Sequence, residues 1–330
     1  MMAGGQTKGL KKKIGAWAKG KGTAYCEELQ FGNSGAQPSC FGCANAVVLG
    51  KVRAALGLQE CRTCFTGAAP ISEVILRYFA SLYIPIYELF GQSECTGPAT
   101  VNKPGMWKIG SCGPTFEGEE MQIQPGDGEI IYRGRHIFMG YMKNAAATAK
   151  TIDPEGWLHS GDVGKIDDDG FLSITGRIKE LIITAGGENI PPVLIEEQLK
   201  RAMNGVANAM VVGDRRKYLI TLLTLKVEVD VQTGIPSTKL GRDALAAAKE
   251  IGSAATTVQE AASCPKFAAY FDAGLVTANK HATSRAQTIK KWALVEMDFS
   301  EPGGELTPTL KLKRPVVHKK YADVIEALYA

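Results

Sequence analysis

Three short segments of the chain combine residue types that could bind a nucleotide and assist chemistry on its phosphates. The first runs from Tyr87 to Glu94 and holds an aromatic ring, a glycine, a hydroxyl and a carboxylate close together. An aromatic ring can stack on a base, a glycine lets the backbone approach a phosphate, and a carboxylate can hold Mg²⁺. An ordinary turn after a strand would account for the same residues equally well.

The second segment runs from Gly156 to Asp162, and Arg177 follows fifteen residues after the aspartate. A carboxylate beside a glycine can accept hydrogen bonds from both hydroxyls of a ribose, and a guanidinium can bridge ribose and phosphate oxygens. The plain alternative is an aspartate in a hairpin and an arginine on the surface.

The third segment runs from Gly303 to Arg314. It begins with two glycines and contains Lys311 within an otherwise apolar stretch. The ammonium group of a lysine suits the negative charge that develops on a phosphoryl group during transfer. A solvated basic tail would have the same composition, so this segment alone does not decide between the two interpretations.

Two cysteine pairs, Cys40-x-x-Cys43 and Cys61-x-x-Cys64, have a spacing compatible with a tetrahedral zinc site. Each pair would have to form a tight turn, whereas the sequence from Cys61 to Phe65 predicts a strand. Buried or incidental reduced thiols are therefore the favoured interpretation, since a disulfide framework is typical of short secreted chains.

The elements that would position these segments begin with the strand over Cys61–Phe65, which enters a turn of small residues at Gly67. An amphipathic helix is predicted over Ser72–Leu82, and the apolar run Ile84–Tyr87 predicts a buried strand. A strand, turn, helix and strand in succession predict parallel pairing of the two strands. Short β segments separated by Gly and Asp turns between residues 110 and 174 predict a small antiparallel barrel or sheet.

The C-terminal part of the chain predicts a separate small α+β domain. Its predicted elements are a strand over 181–184, a helix over 191–200, strands over 210–213 and 220–225, a mostly helical region over 244–292 and a closing helix from Tyr321.

The composition is that of a soluble globular protein with two domains. The 330 residues are 45% hydrophobic and 22% charged, and 38 basic against 34 acidic residues give no reason to expect a nucleic-acid partner. Six lysines and no acidic residue lie within residues 1–22, so residues 1–45 are predicted to be a basic, low-complexity, poorly ordered tail. The sequence has no secretory signal or membrane-spanning run, which favours a cytoplasmic location. The four scattered histidines are assigned structural or surface roles.

Together, the three segments resemble the adenylate-forming superfamily of acyl-CoA synthetases, luciferases and peptide-synthetase adenylation domains. The string Gly176–Pro192 is similar almost letter for letter to the bubblegum branch of long-chain acyl-CoA synthetases. The likeness continues through Leu222–Lys226, Ile289–Trp292 and Gly303–Val317, and it covers the chain from about Val47 to the C-terminus.

The resemblance implies an α/β plus α+β fold. Residues 46–176 would be the C-terminal part of the synthetase large domain, with α/β layers and a small β-barrel. Residues 177–330 would be a small, mobile α+β domain.

The resemblance also implies a role for individual residues. Glu94 would bind Mg²⁺, Asp162 would hold the ribose hydroxyls, and Arg177 would contact ribose or phosphate. Lys311 would stabilise the transition state of adenylation, with Lys313 as the fallback. Gly67, Ala68 and Ala69 would line the adenine, and Phe90 would stack on it where the family more often has Tyr. Ser93 would contact the α-phosphate, and Gly91 and Gln92 are further predicted cofactor-binding residues. Lys179 would lie at the hinge between the domains, and Gly186 and Gly187 would lie beside the pantetheine channel.

The activity that the resemblance implies is that of a long-chain fatty acid:CoA ligase, with a long-chain fatty acid, ATP, Mg²⁺ and CoA as its reactants and cofactors. The implied location is the cytoplasm, with peripheral association at the endoplasmic reticulum membrane as an option.

One departure from the family pattern concerns the Ser/Thr/Gly-rich phosphate loop, which is absent upstream of Gly67. The run Gly20–Thr23 offers only a superficial likeness to it. The chain is therefore interpreted as a fragment that is incompetent alone. The alternatives are an inactive nucleotide- or CoA-binding remnant and a sister enzyme that hands its acyl group to a carrier protein.

Overall fold

The computed structural model describes residues 9–68 and 71–330, so the predicted adenine contact Ala69 lies outside the described residues. The chain divides into two compact units, one ending at Ile174 and one beginning at Thr175. Each unit has its own sheets and its own clusters of buried apolar side chains.

The first unit combines a small mixed sheet with a second, antiparallel sheet. Its elements are α1 (Leu10–Glu28), α2 (Phe41–Ala44), α3 (Gly50–Ala55), β1 (Cys64–Thr66), α4 (Glu73–Ser81), β2 (Ile86–Gln92), β3 (Gly97–Val101), β4 (Glu120–Ile123), β5 (Glu129–Arg133), α5 (Ala145–Thr151), β6 (Leu158–Ile166) and β7 (Leu172–Arg177). β1 pairs parallel with β2, and β2 pairs antiparallel with β3. β4, β5, β6 and β7 are neighbours in that order, and β5 is antiparallel to both β4 and β6. The predicted parallel pair and the predicted antiparallel sheet are thus confirmed.

Strand β2 is longer than the sequence predicts. The apolar run indicates a strand that ends at Tyr87, whereas β2 continues to Gln92 because its second half pairs with β3. The residues assigned to a ligand-binding loop therefore lie mostly at the end of a strand. Only Ser93 and Glu94 lie in the 3₁₀ turn that follows.

The prediction of a poorly ordered N-terminal segment is wrong for Leu10–Glu28, which forms the 19-residue helix α1. The buried face of α1 consists of the small residues Ala18, Gly22 and Cys26. A Cβ atom on Gly22 would lie 2.3 Å from the backbone oxygen of Ser81, the last residue of α4. Close backbone approach positions this helix, so the scarcity of large apolar residues was a misleading signal.

The second unit has an α+β arrangement around a central sheet. Its elements are β8 (Ile182–Ile183), β9 (Asn189–Ile190), α6 (Pro192–Ala202), β10 (Val206–Val212), β11 (Leu219–Leu225), β12 (Val227–Val229), β13 (Pro236–Leu240), α7 (Arg242–Glu250), α8 (Val258–Ala262), α9 (Pro265–Asn279), β14 (Ile289–Leu294), α10 (Arg314–Lys320) and α11 (Ala322–Tyr329). The central sheet has the order β10-β11-β14, and every residue of β11 is buried. The helix predicted over 191–200, the strands over 210–213 and 220–225 and the closing helix are confirmed.

Part of the region predicted to be helical is a strand. Residues Ile289–Leu294 form β14, which pairs parallel with β11. Because β11 is buried, its backbone groups need partners on both sides, and β10 supplies only one side. The strand predicted over 181–184 is also shorter, with only Ile182 and Ile183 in β8.

None of the described helices combines the length and the apolar character that a membrane span requires.

Candidate active site

The predicted adenine contacts of the first unit lie where β1 ends. Gly67 directly follows β1, and a Cβ atom there would lie 2.5 Å from Cδ1 of Leu89 in β2. Ala68 has a φ of 65°, in the left-handed region that few residues other than glycine adopt. Both residues are exposed. The turn therefore presents small groups and backbone to solvent at this strand end.

The predicted phosphate residues lie at the tight junction of β2 and β3. A Cβ atom on Gly91 would lie 1.9 Å from the carbonyl oxygen of Gly97, so only glycine fits at this position. The amide of Gln92 donates a hydrogen bond to Sγ of Cys95 at 3.3 Å. Ser93 begins the 3₁₀ turn and is exposed. The backbone of this segment is thus fixed, while the Ser93 hydroxyl faces solvent.

Glu94 is held from two sides. One carboxylate oxygen, Oε1, accepts a hydrogen bond from the hydroxyl of Tyr141 at 2.7 Å, and the backbone oxygen accepts one from the amide of Phe138 at 2.8 Å. The hydrogen bond to Glu94 raises the pKa of Tyr141, so the hydroxyl keeps its proton and remains a donor at neutral pH.

The donor set around Glu94 fits a magnesium ion that is held partly by phosphate oxygens. The described residues contain no cluster of three or more His, Cys, Asp or Glu side chains that could hold a metal alone. Magnesium is commonly bound by one or two protein carboxylates together with the phosphates of the substrate. The half-exposed carboxylate of Glu94 satisfies that requirement.

Phe90, the predicted stacking partner of adenine, lies inside the first unit. It is 5% exposed, and its ring meets the ring of Tyr132 edge-on with the centroids 6.2 Å apart. Stacking on a base would require one face of the Phe90 ring to open, so this role stays a prediction.

Asp162 lies in β6 and is 7% exposed. The preceding Gly161 has a φ of 72°, and its amide donates to Oε1 of Glu129 at 2.7 Å. The other carboxylate oxygen of Glu129, Oε2, lies 2.7 Å from Nδ1 of His159. Glu129 is itself buried. The Glu129 carboxylate therefore holds the His159 side chain and the Gly161 backbone, which lie on either side of Ser160 and directly before Asp162.

His159 responds to this carboxylate and to a second one. Burial acts to lower the pKa of His159, but the hydrogen bond to Glu129 and the charges of Glu129 and Asp153 outweigh burial, and the pKa is raised above its usual value. Nε2 of His159 lies 3.6 Å from the Asp153 carboxylate. The imidazole therefore stays charged to a higher pH than a free histidine.

The first two predicted segments, Tyr87–Glu94 and Gly156–Asp162, both lie near Tyr132 in β5. Its hydroxyl is buried and has no hydrogen-bond partner among the described residues. Burial first, then the neighbouring Cys95 thiol, and more weakly the Asp162 charge, raise the pKa of Tyr132. Cys95, Tyr132 and Leu158 belong to one buried cluster, so the turn after β2 and the beginning of β6 lie close together. A buried hydroxyl without a partner is costly.

Strand β7 continues past Ile174, so its last residue, Arg177, belongs to the second unit. Lys179 lies in the 3₁₀ turn that follows, and both residues are exposed. Gly186 and Gly187 lie in the turn between β8 and β9, where the amide of Gly187 donates to the backbone oxygen of Thr184 at 2.9 Å. Gly187 needs its glycine because φ is 81°. A Cβ atom on Gly186 would approach nothing closer than 3.8 Å, so packing within this unit does not require glycine there.

Lys311 lies at the end of a closed loop. The amide of Thr307 donates to the backbone oxygen of Lys311 at 2.8 Å, and the amide of Lys311 donates to Oγ1 of Thr307 at 2.9 Å. Leu310 adopts a φ of 60° inside the loop. The Lys311 side chain is half-buried, and within 9–68 and 71–330 it forms no ion pair. Its ammonium group is therefore available to an anionic ligand.

Arg314 anchors this loop to α6. Its two terminal nitrogens each lie 2.7 Å from a carboxylate oxygen of Glu196, and Oε1 of Glu196 also accepts the amide of Val211 at 2.8 Å. Nε of Arg314 lies 3.6 Å from the carboxylate of Glu180, the residue after Lys179. Burial acts to lower the pKa of Arg314, but the two carboxylates raise it above its usual value. The network links the lysine loop, α6 and the predicted hinge.

Sequence reasoning missed the residues that hold the predicted ones in place: Glu129, Tyr132, Tyr141 and Arg314. Glu129 and Tyr132 did leave a signal, because a charged and a hydroxyl side chain flank two isoleucines in a buried strand, where polar groups need partners. Arg314 left no such signal, because its partner Glu196 lies 118 residues away in sequence.

Two family models match the chain. The model of the AMP-binding enzymes matches residues 28–142, and the model of their C-terminal domain matches residues 179–293. The chain therefore belongs to the AMP-binding enzymes, which confirms the resemblance found in the sequence.

Within that family the chain is similar to long-chain-fatty-acid–CoA ligases. It is 47% identical to ACSBG2 of Xenopus laevis over 99% of this chain and 45% of that protein, and 48% identical to ACSBG2 of Gallus gallus over 99% and 44%. It is 44% identical to ACSBG1 of Bos taurus over 92% of this chain and 43% of that protein. The chain thus spans less than half the length of these relatives.

Solved structures show the same fold at low identity. The A domain of a carboxylic acid reductase from Segniliparus rugosus, in complex with AMP and a carboxylic acid, has a TM-score of 0.61 at 19% identity and covers 96% of this chain and 46% of that chain. MatB from Rhodopseudomonas palustris has a TM-score of 0.53 at 21% identity, and the match covers 86% of this chain and 50% of MatB. The fold is that of adenylate-forming enzyme domains.

Proposed function

We propose that this chain carries the chemistry of an ATP-dependent long-chain fatty acid:CoA ligase. The observation that carries the proposal is the 47% and 48% identity to long-chain-fatty-acid–CoA ligases over 99% of the chain. In the proposed reaction the fatty acid carboxylate attacks the α-phosphate of ATP, which gives acyl-AMP and pyrophosphate, and the thiolate of CoA then displaces AMP. No side chain needs to act as a nucleophile, so the protein contributes positioning and charge neutralisation.

The first unit would bind the nucleotide in this proposal. The small groups at Gly67 would contact the base, the hydroxyl of Ser93 would contact the α-phosphate, and Asp162 would accept the ribose hydroxyls. Glu94 would hold Mg²⁺, which when bound neutralises phosphate charge. Glu129 would act as a positioning residue, because it holds the turn that precedes Asp162.

The second unit would supply positive charge and the CoA contact. Arg177 would contact ribose or phosphate, and Lys311 would stabilise the phosphoryl charge of the adenylation step. Lys179 would lie at a hinge, and Gly186 and Gly187 would border the CoA channel.

A first test measures AMP binding to this chain by calorimetry. We expect Asp162→Ala to weaken AMP binding by about 1.5–3 kcal/mol, because charged hydrogen bonds to the ribose are lost. The matched control is Asp169→Ala, which changes an exposed aspartate in the β6–β7 turn. Equal AMP affinity of Asp162→Ala and the unaltered chain would remove Asp162 from the site.

A second test measures the thioester that forms from palmitate, ATP and CoA. The chain is compared with a protein extended to the length of its relatives. AMP binding without thioester formation in both proteins would favour a nucleotide-binding remnant. An acyl product formed equally well without CoA would favour a sister adenylating enzyme.

A third test separates the two half-reactions in the extended protein. We expect Lys311→Ala to slow acyl-adenylate formation by about 100- to 1,000-fold, the size typical of one preorganised charge-stabilising donor. Thioester formation from pre-made acyl-AMP should stay within about tenfold, since no phosphoryl charge then needs the ammonium group. Lys313→Ala is the control and should leave both steps near normal. An equal loss in both half-reactions would contradict the assigned role.

We also propose a cytoplasmic location with peripheral association at the endoplasmic reticulum membrane. The support for membrane association is α1, which exposes Leu10, Ile14 and Trp17 at helical spacing and carries five lysines between residues 10 and 21. An apolar stripe flanked by lysines is typical of helices that lie on anionic lipid. Cosedimentation with phosphatidylserine vesicles should fall in Trp17→Glu and persist in the control Leu56→Glu, another exposed apolar residue. Equal binding of both variants would contradict the proposal.

A further inference from the structure

Cys61 and Cys64 lie close enough to react with each other and have no part in the proposed ligase chemistry. Their Sγ atoms are 3.5 Å apart. A disulfide has an S–S distance of about 2.05 Å, so closure requires an approach of about 1.5 Å. The residues from Cys61 to Thr63 belong to no helix or strand, so side-chain rotation and small backbone adjustments can supply that movement.

Both cysteines are accessible from solvent. Cys61 is exposed and Cys64 is partly exposed, and both line an open cavity of about 410 Å³. Trp107 and Arg62 line the same cavity. A small oxidant can therefore reach either sulfur atom without unfolding of the chain.

The chain contains a matched pair with the same spacing. Cys40 and Cys43 are both exposed, but the described structure has no hydrogen-bond contact between their sulfur atoms. Cys40 has a φ of 60° and precedes α2, whereas Cys43 lies inside α2. The spacing alone therefore does not bring two thiols together, and the contact at Cys61 and Cys64 is a result of the fold.

We propose that Cys61 and Cys64 form a redox-active dithiol that a hydroperoxide closes to a disulfide. In the first step the Cys61 sulfur takes one oxygen atom from the hydroperoxide, which leaves as water or an alcohol, and a sulfenic acid forms. In the second step the Cys64 sulfur attacks the Cys61 sulfur, the hydroxyl group leaves, and the Cys64 proton completes a water molecule. The two thiols lose two electrons and the hydroperoxide gains them.

The order of the steps follows from the environments of the two thiols. Partial burial raises the pKa of the Cys64 thiol to about 11, and its hydrogen bond to Cys61 acts in the same direction. Since the thiolate is the reactive form, Cys64 reacts slowly with an oxidant from solution. The exposed Cys61 is therefore oxidised first, and Cys64 resolves the sulfenic acid at short range. The bond would tie the first residue of β1 to the loop before it, three residues ahead of Gly67.

The test uses the unaltered chain, hydrogen peroxide and tryptic peptide mass spectrometry. Trypsin cuts after Arg62, between the two cysteines, so a disulfide would join peptides 54–62 and 63–77 into one species. We expect this joined species after mild peroxide treatment and alkylation, and we expect dithiothreitol to separate it. At the same dose Cys40 and Cys43 should remain mostly alkylated. Alkylation of Cys61 and Cys64 at the level of Cys40 and Cys43, with no joined species, would overturn the proposal.

Two variants check the order of the steps. In Cys64→Ser, Cys61 should stop at a sulfenic acid that dimedone traps, and the joined species should be lost. In Cys61→Ser, Cys64 should stay alkylated at the same peroxide dose. Faster dimedone labelling of Cys64 in Cys61→Ser than of Cys61 in Cys64→Ser would overturn the assigned order.

Discussion

Each unit has one buried carboxylate beside a predicted ligand-binding segment, but the two carboxylates have different partners. In the first unit, Glu129 accepts the amide of Gly161 and pairs with His159 at 2.7 Å. In the second unit, Glu196 forms two 2.7 Å contacts with the guanidinium of Arg314. The first carboxylate supports the Asp162 segment and the second supports the Lys311 loop.

The two carboxylates differ in their cationic partner, which is the imidazole of His159 for Glu129 and the guanidinium of Arg314 for Glu196. An imidazole changes its charge near neutral pH, whereas a guanidinium stays charged at every pH at which the protein is folded. The support of the Asp162 segment should therefore depend on pH, and the support of the Lys311 loop should not. The two carboxylates are equally buried, but Arg314 is more buried than His159 and forms two contacts, so removal of Arg314 should cost more.

The largest effect is expected for Arg314→Ala. This change leaves the Glu196 carboxylate buried without its cation, which should lower the free energy of unfolding of the second unit by about 3–5 kcal/mol. Amide hydrogen exchange in β10 and β11 under mild denaturant measures this unit separately. The neighbouring Lys313→Ala should change stability by less than about 0.5 kcal/mol. Equal effects of the two substitutions would show that the buried pair does not stabilise the second unit.

A smaller loss is expected for Glu129→Ala in the first unit. The Gly161 amide and the His159 ring lose their shared acceptor, which should lower the free energy of unfolding by about 1.5–3 kcal/mol. The control is Glu120→Ala on the adjacent β4, an exposed partner of Arg133 that should matter by less than about 1 kcal/mol. Hydrogen exchange in β5 and β6 gives the comparison, and a loss no larger than the control would contradict the positioning role.

The pH dependence sharpens the contrast between the units. Because the folded-state pKa of His159 is raised, its charged form stabilises the first unit fully below the unfolded pKa of about 6.5, and this contribution disappears as pH rises through the folded pKa. The stability difference between the unaltered chain and His159→Gln should therefore be larger at about pH 5.5 than at about pH 8.5. Arg314 stays charged at both pH values, so no comparable loss with rising pH is expected for the Arg314–Glu196 pair of the unaltered chain. A penalty of His159→Gln that does not change with pH would end the proposed contrast.

The smallest effect is expected for Glu180→Gln. Its carboxylate lies 3.6 Å from Nε of Arg314 and is partly exposed, so its loss should cost less than about 1 kcal/mol. Limited proteolysis near residues 176–181 provides a second readout, because Glu180 lies beside the predicted hinge. A loss of stability as large as that of Arg314→Ala would place the main anchor at Glu180 rather than Glu196.

Sequence reasoning recovered the elements whose patterns are local. The amphipathic period over Ser72–Leu82 and the proline at the start of α6 each predict a helix from neighbouring residues alone. The family resemblance in the string Gly176–Pro192 is likewise a property of consecutive residues.

The sequence alone therefore predicted the family and the parallel pair of β1 and β2 correctly. The site residues stay predictions. Tertiary structure decided that the small-residue segment Leu10–Glu28 is a helix, because its stability depends on close approach to α4. It decided that Ile289–Leu294 is a strand, because buried β11 needs a second partner. It also brought Glu129 to Gly161 and His159 in the first unit, and Glu196 to Arg314 in the second. The physical reason is the same in each case: burial and pairing join residues that are far apart in the chain, and no local pattern records them.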